Sequence, residues 1–163
     1  AGSSTAAPTI PGVTKWYLLR NDAMAKTIVL VACVSEKNRR CAAKDLYTSD
    51  WFCKASAYAR RSGDAWYILS AKHGLLDPNA EIDPYNETLN TMPAASRRAW
   101  AQRVLRSLEP LLKPGDVVVL LAGTKYREHL IEPLQRRGCR VEVPMAGLRI
   151  GEQLSWLKAQ IDR

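Results

Sequence analysis

A chain of 163 residues with 47% hydrophobic and 25% charged content is long enough for one domain with a real core, and this composition excludes intrinsic disorder. No apolar run approaches bilayer length, and no charged start leads into an apolar signal core, so neither membrane insertion nor export is expected. The 24 Lys and Arg against 16 Asp and Glu give +8, a balance that favours a polyanion such as nucleic acid.

Residues 1–23 are rich in small residues and Pro at their start and read as a flexible leader or a cloning-derived extension, although Trp16 to Leu19 is apolar enough to pack on the body. Residues 24–163 read as a single α/β domain. Thr27 to Cys33 is a continuous apolar, β-branched run, as expected of a strand covered on both faces. Ser49 then precedes a helix from Asp50 to Arg61, with an acidic first turn, a basic last turn and Gly63 as the stop.

Trp66 to Leu69 is the second strand. A helix over about 93–112 comes next, with Trp100, Val104, Leu105, Leu108, Leu111 and Leu112 at helical spacing, punctuated by Pro114-Gly115. Asp116 to Leu121 is the third strand. Lys125 to Arg137 is a helix interrupted or offset near Pro133, Cys139 to Val143 the fourth strand, and Ile150 to Ile161 a closing amphipathic helix. Strand and helix alternate throughout, so the expected fold is a three-layer α/β domain with a mainly parallel central sheet flanked by helices.

Ligands of open α/β sheets bind beyond the carboxyl ends of the strands, so the residues at each strand exit test for a site. The first strand empties into Cys33, Ser35 and Lys37, then Asp45 and Tyr47. The second empties into roughly 17 residues, Ser70 to Asn86, far more than a plain connection needs, holding Lys72, His73, Asp83 and Tyr85. The third leads to Gly123, Tyr126 and Arg127, the fourth to Met145 through Gly151. These exits converge on one edge.

Within this edge Lys72 can contact phosphate or act as an amine nucleophile, and His73 can serve as acid, base or donor. A loop histidine that only fixes backbone is the competing reading. Asp83 and Asp45 are the carboxylates best placed for catalysis, with loop capping the alternative for Asp83. Tyr47, Tyr85 and Tyr126 are flat groups able to stack on a base, or else packing residues.

No zinc-type spacing occurs among Cys33, Cys41, Cys53 and Cys139, and neither phosphate-loop nor dinucleotide fingerprint is present. No metal or cofactor is expected. Cys33 and Cys139 border strands and read as buried free thiols, which suits a cytoplasmic location. The doublets Arg39-Arg40, Arg60-Arg61, Arg97-Arg98 and Arg136-Arg137 are either helix-end charges or contacts to phosphate.

The motifs Cys33-x-Ser35-x-Lys37, Asp45-Leu-Tyr47-x-Ser49, Ser70-Ala-Lys-His-Gly-Leu75 with Asp83-Pro-Tyr85, and Leu121-Ala-Gly-x-x-Tyr126-Arg127 together resemble a bacterial and phage family known mainly by a domain-of-unknown-function label. The stretch Gly74-Leu-Leu with Ile82-Asp-Pro-Tyr85 is similar to the YaaA-type peroxide-stress proteins, which are implicated in DNA binding. The chain also resembles the small DNA glycosylases of antiphage defence.

These resemblances imply an N-glycosidase that excises a modified base from DNA. Asp83 would be the leading catalytic carboxylate and Asp45 the second, with Lys72 or His73 assisting the departing base. Cys33, Ser35, Lys37, Tyr47, Ser70, Tyr85, Asn86, Gly123, Tyr126 and Arg127 would bind the substrate. DNA is the expected partner, with no membrane and no obligate protein partner. A non-catalytic DNA-binding module and an enzyme acting on free nucleosides or nucleotides are the alternatives.

Overall fold

The computed structural model describes residues 25–33 and 40–163. The leader with its Trp16–Leu19 run, and Ser35, Lys37 and Arg39, lie outside the described residues.

Strand β1 (Thr27–Ala32) is buried at every position after Thr27, as a strand covered on both faces must be. Short elements come next: β2 (Cys41–Ala42) and the single helical turn α1 (Ala43–Leu46). Helix α2 (Asp50–Ser62) starts where Ser49 Oγ accepts the Phe52 N–H at 3.1 Å, with Asp50 in its first turn and Arg60 and Arg61 in its last. Its C-cap, Gly63, must be glycine for a steric reason. A Cβ there would stand 2.8 Å from Val29 Cγ2 and 2.9 Å from the Ala65 carbonyl oxygen.

Strand β3 (Ala65–Ser70) turns through residues 71–73 into β4 (Gly74–Leu76), which pairs antiparallel with it. Gly74 makes this possible with a φ of 72°. The expected long open loop after Ser70 is therefore part hairpin. A second small ribbon pairs β5 (Glu81–Ile82) antiparallel with β2, and Leu89–Thr91 forms a 3₁₀ turn. Strands this short carry no readable period, which is why the sequence pattern passes over them.

Helix α3 (Ala94–Leu108) ends earlier than the apolar spacing predicts. Pro110 has no N–H for a helical bond, and Glu109–Leu111 continues as a 3₁₀ turn. After β6 (Val117–Leu121), the single helix expected over 125–137 is two: α4 (Thr124–Arg127) and α5 (Ile131–Arg136). Pro133 lies in the first turn of α5, where a missing N–H costs nothing. Strand β7 (Arg140–Glu142) and helix α6 (Ile150–Ile161) close the chain.

The sheet order is β4-β3-β1-β6-β7, with β1 parallel to both β3 and β6, and β6 parallel to β7. Only the edge strand β4 runs against it. Helix α2 packs on β1, β3 and α6, while α3 covers β4. Chain order therefore runs outward from β1 to β3, then back across β1 to β6. With right-handed crossovers, that reversal places the topological switch point between β1 and β6.

Asp116, fully buried just before β6, fastens the sheet's other end. Its carboxylate accepts from the Lys26 N–H at 3.1 Å, the Lys113 N–H at 2.9 Å and the Lys113 ammonium at 2.8 Å. Burial pushes this carboxyl up, but those bonds outweigh it and hold it below the usual aspartate value.

Most of the described doublet arginines are bonded to groups of the chain itself, several of them at the surface. Arg97 pairs with Glu128 at 2.9 Å and Arg136 with Glu132 at 3.1 Å. Arg137 donates to the Leu105 carbonyl, Arg61 to the Ile161 carbonyl, and Arg60 lies over the Trp66 ring. Among the described residues no helix is long and apolar enough to cross a membrane.

Candidate functional site

A cleft of about 700 Å³ opens at the carboxyl ends of β1 and β6. Ala32 and Cys33 border it at the end of β1, and Gly123 at the exit of β6, so it lies at the switch point. Its walls come from three further segments: Tyr47, Ser49 and Trp51 ahead of and within α2, residues 85–88 with Asn90, and Ile150 and Gln153 of α6. Tyr126 of α4 completes the aromatic lining.

Beneath the cleft lies a hydroxyl network. Tyr85 Oη is 2.5 Å from Tyr47 Oη and 2.6 Å from Ser70 Oγ, and it donates to Cys33 Sγ at 3.5 Å. Ser70, the last residue of β3, is wholly buried; its Oγ accepts the His73 N–H at 3.0 Å and its carbonyl accepts the Trp100 indole N–H at 2.8 Å. Tyr47 stacks obliquely on Phe52 with ring centroids 5.1 Å apart. Burial, and next the Cys33 sulfur, push the phenols of Tyr47 and Tyr85 well above the usual tyrosine value. Both phenols are therefore neutral at physiological pH and form hydrogen-bonding walls of the cleft.

Tyr126 is raised in the same way, chiefly by burial. Its hydroxyl accepts the Leu89 N–H at 3.4 Å and lies 3.5 Å from Thr88 Oγ1. The Lys125 ammonium donates to the Asn90 carbonyl at 3.0 Å. Segment 86–91 is thus tied to α4, and its polar side chains are held at the cleft by backbone contacts.

The charged groups are arranged differently from the sequence expectation. Asp83 is exposed and bonded to Arg40 at 3.0 Å, outside the cleft lining. Ile82 and Tyr85 are buried, and Asp83 between them is turned out to Arg40. Asp45 is exposed on α1, and Lys72 is exposed on the β3–β4 turn; neither lines the cleft.

His73 stands edge-on to the Tyr85 ring, with centroids 5.5 Å apart. Desolvation, then Lys72 and Arg103, lower its pKa, against an opposing pull from Glu87. Glu87 is the carboxylate that lines the cleft.

Of the predicted binding residues, Cys33, Tyr47, Tyr85, Asn86, Gly123 and Tyr126 line the cleft. Ser70 lies behind Tyr85. Arg127 turns back to donate to the Ala122 carbonyl at 2.7 Å, bracing the exit of β6. The pattern did not single out Trp51, Glu87, Asn90, Gln153 or Ile150. Trp51 reads as one more apolar residue on a helix face; its position two residues beyond the Ser49 cap was the available signal. Among the described residues no group of three or more His, Cys, Asp or Glu is assembled to hold a metal ion.

The chain is 35% identical over 95 residues to "Uncharacterized protein YfjM" of Bacillus subtilis (strain 168). That match covers 54% of this chain and 59% of the relative, so the chain spans less than two thirds of the relative's length. No solved structure matches. Residues 28–159 match the family described as "Family of unknown function (DUF6884)", nearly the whole of the described fold. The chain belongs to this DUF6884 family.

Proposed function

We propose that the protein is an N-glycosidase acting on a base in DNA, with the cleft at the switch point as its base pocket. One observation carries the reading. The cleft joins flat aromatic walls, Trp51, Tyr47, Tyr85 and Tyr126, to the amide groups of Asn86 and Asn90 and a single lining carboxylate, Glu87. Aromatic faces stack on a planar heterocycle, and amides pair with its hydrogen-bonding edge. The volume suits a nucleoside-sized guest.

The chemistry grows out of that lining. The bond from the anomeric carbon to the base nitrogen breaks, and its electron pair leaves with the base, which takes up a proton. The sugar is left as an oxocarbenium ion; a carboxylate beside it stabilises the charge and receives a proton from the attacking water. Glu87 takes this role in place of Asp83, whose charge is matched by Arg40 outside the pocket. His73 is exposed and outside the cleft lining, packed edge-on against the Tyr85 ring, and would act as proton donor or acceptor only from that side.

The net charge of +8 supports a nucleic-acid substrate. The resemblances to YaaA-type proteins and to antiphage DNA glycosylases supply the proposed setting, removal of modified bases from phage DNA. The test is incubation with modified and unmodified phage DNA, then mass spectrometry of released bases. A free modified base is expected. Absence of any released base, with every substrate tried, refutes the reading.

A second reading, hydrolysis of a free nucleoside or nucleotide, draws on the arginines already paired with Glu128, Glu132 and a backbone carbonyl. Fewer free arginines leave less surface for a polymer backbone. Turnover of mononucleosides, with indifference to polymer length, would select it.

A further inference from the structure

Strand β3 is covered along only part of its outer edge, and a second cavity opens where the cover ends. It pairs with β1 from Ala65 to Leu69, but β4 pairs with it only from Ile68 to Ser70. Among the described residues, no strand lies beside Ala65, Trp66 and Tyr67 on the side away from β1. Past β4 the chain turns off through Asp77, Pro78 and Asn79 and is stapled to α1. The Lys44 N–H donates to the Pro78 carbonyl and the Ala43 N–H to the Ala80 carbonyl, both at 2.8 Å. Between that turn, the uncovered stretch of β3 and the last turn of α2 lies a cavity of about 380 Å³. It shares no lining residue with the switch-point cleft.

Donors dominate its walls. The Arg60 guanidinium lies 5.9 Å from the centre of the Trp66 ring; its Nε donates to the Ser56 carbonyl at 3.4 Å and its Nη2 to Ser56 Oγ at 3.5 Å. The stack and these bonds set the fork in one place and leave Nη1 for a ligand. The Lys44 ammonium, the Tyr67 hydroxyl and the Asn79 side-chain amide belong to the same lining, and none has a hydrogen bond or ion pair among the described residues. Asp77 is the one carboxylate; its Oδ1 accepts the Asn79 N–H at 2.8 Å, and its Oδ2 remains as an acceptor. An uncovered sheet edge is commonly guarded by Lys and Pro, as Lys44 and Pro78 do here. Guarding does not explain a guanidinium held on an indole at the same opening.

We infer that this cavity is a second binding site, for a nucleoside monophosphate. Two cations against one carboxylate select an anion, and the planar guanidinium matches phosphate oxygens two at a time. Phosphate alone would use Lys44 and Arg60 and be repelled by Asp77. A sugar supplies hydroxyls that a carboxylate can accept from, while the Tyr67 ring and the Asn79 amide offer a base a flat face and hydrogen bonds. The volume lies at the small end of ligand pockets, which suits a single nucleotide.

Isothermal titration of the full chain with adenosine monophosphate, adenosine and inorganic phosphate tests the site. The parent binds the monophosphate, and Lys44→Ala and Arg60→Ala each weaken that binding about tenfold or more, the scale of one lost charged hydrogen bond. Lys44 is exposed and tied to the fold through its backbone alone, so Lys44→Ala reports on binding whether or not Arg60→Ala stays folded. Adenosine and inorganic phosphate each bind about tenfold or more weakly than the monophosphate. Raising the salt concentration weakens the monophosphate in the parent more than in Lys44→Ala. No binding of the monophosphate, or binding unchanged in both variants, overturns the inference. So does inorganic phosphate or adenosine bound as tightly as the monophosphate. Base release from DNA enters none of these measurements, so the outcome is independent of the base-pocket reading.

Discussion

Removing the Tyr85 hydroxyl tests whether the network beneath the cleft is built as described. Tyr85 Oη is the centre of that network, 2.5 Å from Tyr47 Oη, 2.6 Å from Ser70 Oγ and 3.5 Å from Cys33 Sγ. In Tyr85→Phe the ring still fills its place against His73, so packing is kept and only hydrogen bonds are lost. Ser70 Oγ retains the His73 N–H, but the Tyr47 hydroxyl loses its shortest contact in a buried setting. Leaving a buried hydroxyl without its partner costs about 1–3 kcal/mol, and about 2 kcal/mol is a fair midpoint. For a chain of this size, about 2–4 °C per kcal/mol turns this into a fall of about 4–8 °C in thermal midpoint.

Tyr47→Phe, which removes the outer hydroxyl, costs less, about 1 kcal/mol. The double variant costs less than the sum, because deleting both partners leaves no stranded hydroxyl between them. Thermal unfolding of the four proteins at one pH measures all of this. A Tyr85→Phe midpoint within about 1 °C of the parent, or strict additivity in the double variant, refutes the network.

Four further outcomes are expected. Asp116→Asn destabilises the fold by about 1–3 kcal/mol near neutral pH, measured by urea unfolding. The native carboxyl is held below its unfolded value, so its contribution is present above about pH 4 and is lost as pH falls through the native pKa; the difference between parent and variant shrinks in acid. Ser49→Ala removes the cap of α2 and lowers stability by about 1 kcal/mol, whereas Asp83→Asn, which breaks only an exposed pair, stays within about 1 kcal/mol of the parent. Thiol alkylation of the native protein modifies exposed Cys53 first and spares buried Cys33 and Cys139 until the chain unfolds, as peptide mass mapping would show.

The parallel sheet was legible because its central strands are long apolar runs, and both Thr27–Ala32 and Val117–Leu121 are buried almost throughout. The placing of the cleft was also legible, since the strand-exit rule depends only on strand order and direction. What escaped was short or inverted. Strands of two or three residues show no period, and Gly74 reverses the chain at a point where the sequence shows only a polar turn.

The carboxylates were the hardest groups to place. Asp83 looks enclosed in the sequence because Ile82 and Pro84 flank it, yet its carboxylate is exposed and paired with Arg40. Glu87 lies two residues beyond Tyr85 and lines the cleft with it, in a segment held by Tyr126 and Lys125. Trp51 is hidden for another reason: a helix face that meets both a core and a cleft is apolar for both purposes.

If the switch-point cleft breaks an N-glycosidic bond, Glu87 is the carboxylate on which the reaction depends. The most direct measurement is the amount of free modified base released from phage DNA by the parent, Glu87→Gln and Asp83→Asn under identical conditions. Glu87→Gln is expected to release at least about a hundredfold less than the parent, with Asp83→Asn close to the parent. Release by Glu87→Gln at the parent's level, or its loss in Asp83→Asn instead, would contradict the assignment.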